Sequence, residues 1–222
     1  MRGAAPGAGF EPRHIDKGLK QGEPGSPESA IATSRNTADI AKLEQMLDRA
    51  SSARTIDSAL SNQLRMLVPH DCFVIYLRTG DVLRPQLVGG NAAAALSMQQ
   101  VSLGEGLSGW VAEHARPIVN GNPTVEPNCV LESGVLTAAS SALSVPFFTQ
   151  DGARNGSVLG VLTLYAAASA AFSKDHLGIV EALEARLSQA FQRALGSSRN
   201  ESTTLSERET QTAAVDASMV TL

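Results

Sequence analysis

Cysteine is almost missing from this chain: Cys72 and Cys129 are the only two among 222 residues. Two thiols cannot build the disulfide framework that holds a small secreted fold together. With no secretory leader in the opening residues, they read as a reduced cytosolic pair, and the expected compartment is the cytoplasm. Basic residues are not in excess either. Lys and Arg number 18 against 22 Asp and Glu, a net charge of −4, so the chain lacks the basic footprint of a nucleic-acid binder. It also lacks a Lys/Arg-rich amphipathic segment for a membrane surface. Long apolar runs are absent, since the richest stretches, Val158–Ala168 and Val135–Phe148, are interrupted by Ser, Thr, Gly or Pro. Both fall well short of the roughly 20 residues needed to span a bilayer. The four histidines, His14, His70, His114 and His176, show no metal-ligand spacing with one another or with the cysteines. Aromatics make up only 4%, with Trp110 the sole tryptophan. What remains is a composition of 43% hydrophobic and 18% charged residues, enough to bury the core of one domain of ordinary size.

The polar material is concentrated at the ends. Residues 1–36 are rich in Gly, Pro and Ser without periodicity and read as a disordered arm. Residues 197–222 are Ser/Thr-rich and read as a flexible tail or linker. Between them, residues 37–196 alternate helical and strand patterns. Ile40, Leu43, Met46, Leu47 and Ala50 share one helical face, and Ile56, Leu60, Leu64 and Leu67 share another, starting near Thr55 and ending near Pro69. Cys72–Arg78 is dense in β-branched and aromatic residues and reads as a buried strand. A turn at Thr79-Gly80-Asp81 leads into its hairpin partner Val82–Val88, where Pro85 implies an edge or a bulge. A short helix over Ala92–Leu96 and a strand at Gln100–Leu103 follow. Ser140–Phe148 and Ser157–Ala166 form a second hairpin, with Pro146 again marking an edge or irregularity. The last helix opens at Phe172-Ser173-Lys174-Asp175, with Ser173 as N-cap, and is expected to stop at Gly196.

The centre of the pattern is Val101–Asn120, VSLGEGLSGWVAEHARPIVN. Gly104, Gly106 and Gly109 punctuate a loop, and Leu107, Trp110 and Val111 then recur at helical spacing. Arg116-Pro117 stops that helix, because the residue before proline is driven toward extended backbone. The loop Gly104-Glu105-Gly106 has no following lysine and fails the P-loop pattern. Its glycines are therefore assigned to turn geometry.

Taken in order and spacing, VSLGEGLSGWVAEHARPIVN, SSALSVPF, GVLTLY and AFSKDHLGIVEAL, with HDCFVIYL as a first strand, resemble the GAF domain of signalling proteins. The similarity is to bacterial GAF domains that precede diguanylate cyclase domains, although no cyclase signature is present. It implies an α+β fold: a central antiparallel six-stranded sheet with the terminal helices on one face and a pocket layer of loops and short helices on the other. It further implies a regulatory role without catalysis, and homodimerisation through the terminal helices. A signalling output domain or partner is the implied recipient. The broad apolar faces of Ile179–Ala194 and Ile40–Ala50 suit both the sheet and such a bundle.

Residues 120–141, with Trp110 across from them, would then hold a small-molecule ligand. Trp110, Asn120, Cys129, Ser141 and Leu143 are the candidate ligand-binding residues. Trp110 and Asn120 each have a structural alternative. Trp110 can close a hydrophobic layer, and Asn120 can cap a loop through nearby backbone. Cys72 reads as a small core hydrophobe on a strand. Cys129, in the pocket-side loop, is the better reactive thiol, and it carries the enzyme alternative of a methionine sulfoxide reductase-like activity. Chromophore attachment is not expected, because Val130 rather than histidine follows Cys129. The Asn-Lys-Phe-Asp-Glu signature of cyclic-nucleotide-binding members is also missing. The ligand, and any cofactor, are not identified by these residues, and a ligand-free dimerisation module is the other reading.

Overall fold

The computed structural model describes residues 27–91, 93–127, 139–149 and 157–219, with side chains described between Thr37 and Ser197 within those ranges except at Ala95. The first helix, α1 (Pro27–Arg49), begins earlier than its apolar periodicity indicates. From residue 37 onward that periodicity is used as expected: Leu43, Leu47 and Ala50 are buried, and Ile40 and Met46 pack beside them. The second helix starts earlier than Thr55, because Ser52 is its cap. Ser52 Oγ accepts from Thr55 N at 3.3 Å while Ser52 N donates back to Thr55 Oγ1 at 3.2 Å, a reciprocal box that satisfies two otherwise orphaned donors. α2 (Ala53–Ala59) then runs through a π turn at Leu60–Leu64 into α3 (Arg65–Leu67).

Six strands follow as one antiparallel sheet: β1 (Cys72–Thr79), β2 (Val82–Gly90), β3 (Val101–Ser102), β4 (Ile118–Gly121), β5 (Ser141–Phe148) and β6 (Val158–Ala166). Their spatial order is β3-β2-β1-β6-β5-β4. Both prolines sit where a strand can tolerate the missing N–H. At Pro85 the β1–β2 register shifts, Ile75 facing Leu87 and Tyr76 facing Pro85. Pro146 lies beyond the end of β4, whose pairing with β5 begins at Ile118 opposite Ser144. Glu184 Oε1 then accepts the Phe148 N–H at 3.1 Å, so this open stretch of edge is blunted against further pairing.

Alternation along the strands divides the core in two. Phe73, Ile75, Leu77, Leu143, Val145, Phe147, Leu162 and Leu164 face α1 and the last helix, α6 (Lys174–Met219). Cys72, Val74, Tyr76, Ala142, Val161 and Tyr165 face a second layer containing α4 (Ala93–Leu96) and α5 (Gly106–His114). Because both faces are covered, β1 and β6 read as almost continuous apolar runs. α6 is capped by Ser173 as expected, with His176 N donating to Ser173 Oγ at 3.2 Å. It does not stop at Gly196. A glycine ends a helix only by turning left-handed, and Gly196 is not among the residues with positive φ. The helix therefore carries on to Met219. Among the described residues no helix is long and apolar enough to cross a membrane.

Candidate functional site

The layer of α5 is held on the sheet by a buried chain of polar groups. On the sheet, Ser144 Oγ and Thr163 Oγ1 are 2.9 Å apart, and Thr163 Oγ1 is 2.9 Å from Ser108 Oγ in α5. Ser108 donates to Glu126 Oε1 twice, from its hydroxyl at 2.6 Å and its backbone N–H at 3.0 Å. Tyr165 of β6 donates its phenol to the same oxygen at 3.3 Å. Ser108, Ser144, Thr163 and Glu126 are each 2% exposed or less. Glu105, the residue before α5, makes no side-chain cap. The carboxylate of Glu126 takes that place, meeting the helix N-terminus where its dipole favours negative charge.

Glu126 stands just after a 3₁₀ turn at Pro123–Val125. Its other oxygen, Oε2, is buried, and among the described residues no hydrogen-bond donor meets it. Gly106, with φ +62°, makes this seat possible, because a Cβ there would come within 2.5 Å of Oε2. Burial pushes the Glu126 carboxyl above its ordinary pKa, and the N–H and O–H groups of Ser108, Tyr165 and the Leu107 backbone facing it pull only partly the other way. A second strap runs from the same sheet face. Tyr76 donates to Gln99 Oε1 at 3.3 Å, and Gln99 Nε2 donates to the carbonyl of Pro127. Both straps end on neighbouring residues of the loop that leads toward Cys129.

Of the residues singled out from sequence, those that the structure describes do not share one face of the sheet. Leu143 is fully buried on the helix-facing side of β5, opposite the layer. The period of two puts Ala142 on the layer side and Ser144 in its polar chain, so the assignment of Leu143 to that pocket is corrected. Asn120, at φ 55°, clamps distant rather than nearby backbone: its Nδ2 donates to Phe172 O at 2.7 Å, and Phe172 N donates to its Oδ1 at 2.9 Å. Ser141 Oγ donates to Ala168 O at 2.7 Å and accepts from Ala171 N at 3.3 Å. Asn120 and Ser141 together pin the connection between β6 and α6. Trp110 is half-buried against the layer core, its ring stacked on His114 at 4.2 Å. Cys129 lies outside the described residues, while Cys72 is buried on the layer side of β1 as a core residue. Among the described residues no group of three or more His, Cys, Asp or Glu is placed to hold a metal ion.

Sequence reasoning passed over Glu126, Ser108, Ser144, Thr163 and the two tyrosines. The signal was available in part: Thr163 interrupts GVLTLY and Ser144 interrupts SALSVPF, and a polar group inside an apolar strand needs a buried partner.

The fold and this layered arrangement can be set beside known proteins. A family model for the GAF domain matches residues 50–192. The chain belongs to the GAF domain family. Among solved structures, it is similar to the GAF domain of an Acinetobacter phosphoenolpyruvate-protein phosphotransferase, at 18% identity and a TM-score of 0.60, covering 74% of this chain and 98% of that one. The GAF domain of a phosphoenolpyruvate-protein phosphotransferase from Coxiella burnetii gives 16% identity and a TM-score of 0.60, with 75% and 98% covered. Free methionine-R-sulfoxide reductase from Neisseria meningitidis, solved in complex with its substrate, gives 17% and 0.59, with 78% and 96% covered. At such identities the likeness is one of fold, and that fold is found both in GAF domains of phosphotransferases and in a free methionine-R-sulfoxide reductase. Comparison with curated proteins gives no match.

Proposed function

We propose that this GAF domain is a non-catalytic sensory module of bacterial signal transduction that binds a small molecule between its sheet and its α5 layer. The observation that supports the reading most is the buried polar chain through Ser144, Thr163, Ser108, Glu126 and Tyr165, which ends in a Glu126 Oε2 that no donor among the described residues meets. A chain built only for stability would be expected to satisfy every buried polar atom, since each orphan costs about 1–3 kcal/mol. A guest that donates to Oε2, or displaces one strap, would change the free energy holding the layer on the sheet. Only such differential binding can move a two-state element. The domain works in the cytoplasm as a homodimer, passing the state of the layer through its terminal helices to an output domain or partner. Diguanylate cyclases are one class of output suggested by the sequence resemblance.

Titration of the whole chain with a metabolite panel tests this, read by calorimetry and by the fluorescence of Trp110, which stands on α5 itself. A binder that alters Trp110 emission, and that weakens when Glu126 is replaced by Gln, is the expected result. Absence of any binder across the panel would leave the ligand-free dimerisation module as the better reading. The enzymatic alternative rests on Cys129. Methionine sulfoxide reductase activity lost in Cys129→Ser would overturn the non-catalytic reading.

A further inference from the structure

A concavity outside the α5 layer shares no residue with it. It is a cleft of about 270 Å³ lined by Arg65, Pro69, His70, Asp71 and the alanines 166, 168 and 171. That volume is at or just below the low end for small-molecule sites, so only a small guest fits. Arg65 and Asp71 carry opposite charges in one cleft yet form no ion pair with each other. Among the described residues the Arg65 guanidinium meets no acceptor. Asp71 spends one oxygen, Oδ2, on the N–H of Ala167 at 2.7 Å, and its other oxygen accepts from none of the described donors.

His70 is 7% exposed, and its Nδ1 lies 2.7 Å from the carbonyl of Val68. A carbonyl only accepts, so Nδ1 carries the proton and Nε2 keeps a lone pair. No described donor meets that lone pair. Burial lowers the pKa of His70, which favours this neutral acceptor form. The far wall is fixed in place. Ser141 Oγ bridges Ala168 O and Ala171 N, and Asp71 holds Ala167. The alanine side chains leave room and supply an apolar floor.

We infer that this cleft binds a small zwitterion of the α-amino acid type, its carboxylate on Arg65 and its ammonium between His70 Nε2 and the open oxygen of Asp71. A planar guanidinium matches a carboxylate in a fork. A neutral imidazole nitrogen and a carboxylate oxygen are both acceptors suited to N–H donors. The separation of unpaired opposite charges is what selects a dipolar guest over a simple ion. Because Arg65 is exposed, the affinity is on the order of millimolar.

The test is an NMR titration of the full chain with L-alanine, propionate and isopropylamine, following the His70 ring and the amides of residues 69–71 and 167–171. L-Alanine is expected to give saturable shifts at these positions, with each single-charge probe at least about tenfold weaker. Arg65→Gln, which removes no hydrogen bond or ion pair among the described residues, should weaken L-alanine about tenfold and leave the melting temperature unchanged. Asp71→Asn, which keeps an acceptor for Ala167, should weaken it as well. Propionate binding as tightly as L-alanine would make the cleft an anion site and overturn the inference. So would isopropylamine matching L-alanine, no saturable shift at all, or undiminished binding in Arg65→Gln. None of these outcomes bears on the α5 layer, so this inference and the proposed function stand or fall separately.

Discussion

At the scale of single residues, Glu126 is the group with most at stake. Its side chain is buried, and among the described residues three donors meet one oxygen and none meets the other. The sign of its pH effect follows from the raised pKa. The folded state holds the Glu126 proton more tightly than the unfolded chain does. The stability this contributes is complete below the ordinary value of 4.5, and it is lost as pH rises through the raised folded value. Glu126→Gln cannot titrate. In urea denaturation across pH, the native chain should therefore lose stability relative to Glu126→Gln as pH rises from about 4.5, and the difference should level off once the carboxyl is ionised. A flat difference would show that burial does not set the protonation of this group. Little of this is legible in the sequence. A glutamate between Pro123 and Pro127 reads as a solvated loop residue, and only the three-dimensional meeting of the loop with α5 turns it into a cap. Leu143 shows the opposite failure. Its alternation with Ala142 and Ser144 is visible, but period alone does not say which face meets helices and which meets the layer.

At the scale of elements, two positions carry consequences. Asn120 sits inside β4, at the register shift between Val119 and Gly121, in a left-handed conformation, and ties the strand to the residue that opens the approach to α6. Asn120→Ala loses two hydrogen bonds, about 0.5–1.5 kcal/mol each, and adds left-handed strain of roughly 1–2 kcal/mol. Asn120→Gly loses the bonds but relieves the strain. Alanine should thus be the more destabilising of the two in thermal or urea unfolding, and equal effects would show that the backbone there relaxes. Gly196 gives a prediction of the opposite sign. It sits inside α6, where an added Cβ would find nothing within 4 Å, so Gly196→Ala should stabilise the helix by up to about 1 kcal/mol. Circular dichroism would register a gain in helicity, whereas a loss would mean that Gly196 is a left-handed stop after all. The strands, their order along the chain and the capped start of α6 can all be read from periodicity and from Ser173. The helix ends cannot, because Gly196 stops or continues a helix according to a backbone angle the sequence leaves free.

At the scale of the molecule, the question is what the terminal helices have left to offer a second copy. The apolar positions that make them look broad enough for pairing are largely spent on their own sheet. Val180, Leu183, Leu187, Ala190, Phe191 and Ala194 of α6 are buried against it together with Leu43 and Leu47 of α1. The two helices are also fastened to each other. Arg193 donates to the carbonyls of Leu47 and Ala50 at 2.7 and 3.1 Å, satisfying the end of α1, and Arg186 pairs with Asp48 at 3.1 Å. Leu195 is the one large apolar side chain exposed on the described part of α6. Yet α6 is 46 residues long, about 69 Å at 1.5 Å per residue, and its last described core residue is Ala194. If the homodimer forms through the terminal helices, its contacts must therefore come chiefly from outside residues 37–194. Sedimentation velocity should then find the full chain dimeric, while a fragment of residues 37–196 sediments as a monomer and keeps its melting temperature. A dimeric fragment would place the interface on the folded domain itself, and a full chain that stays monomeric at high concentration would remove the homodimer from the proposed mechanism.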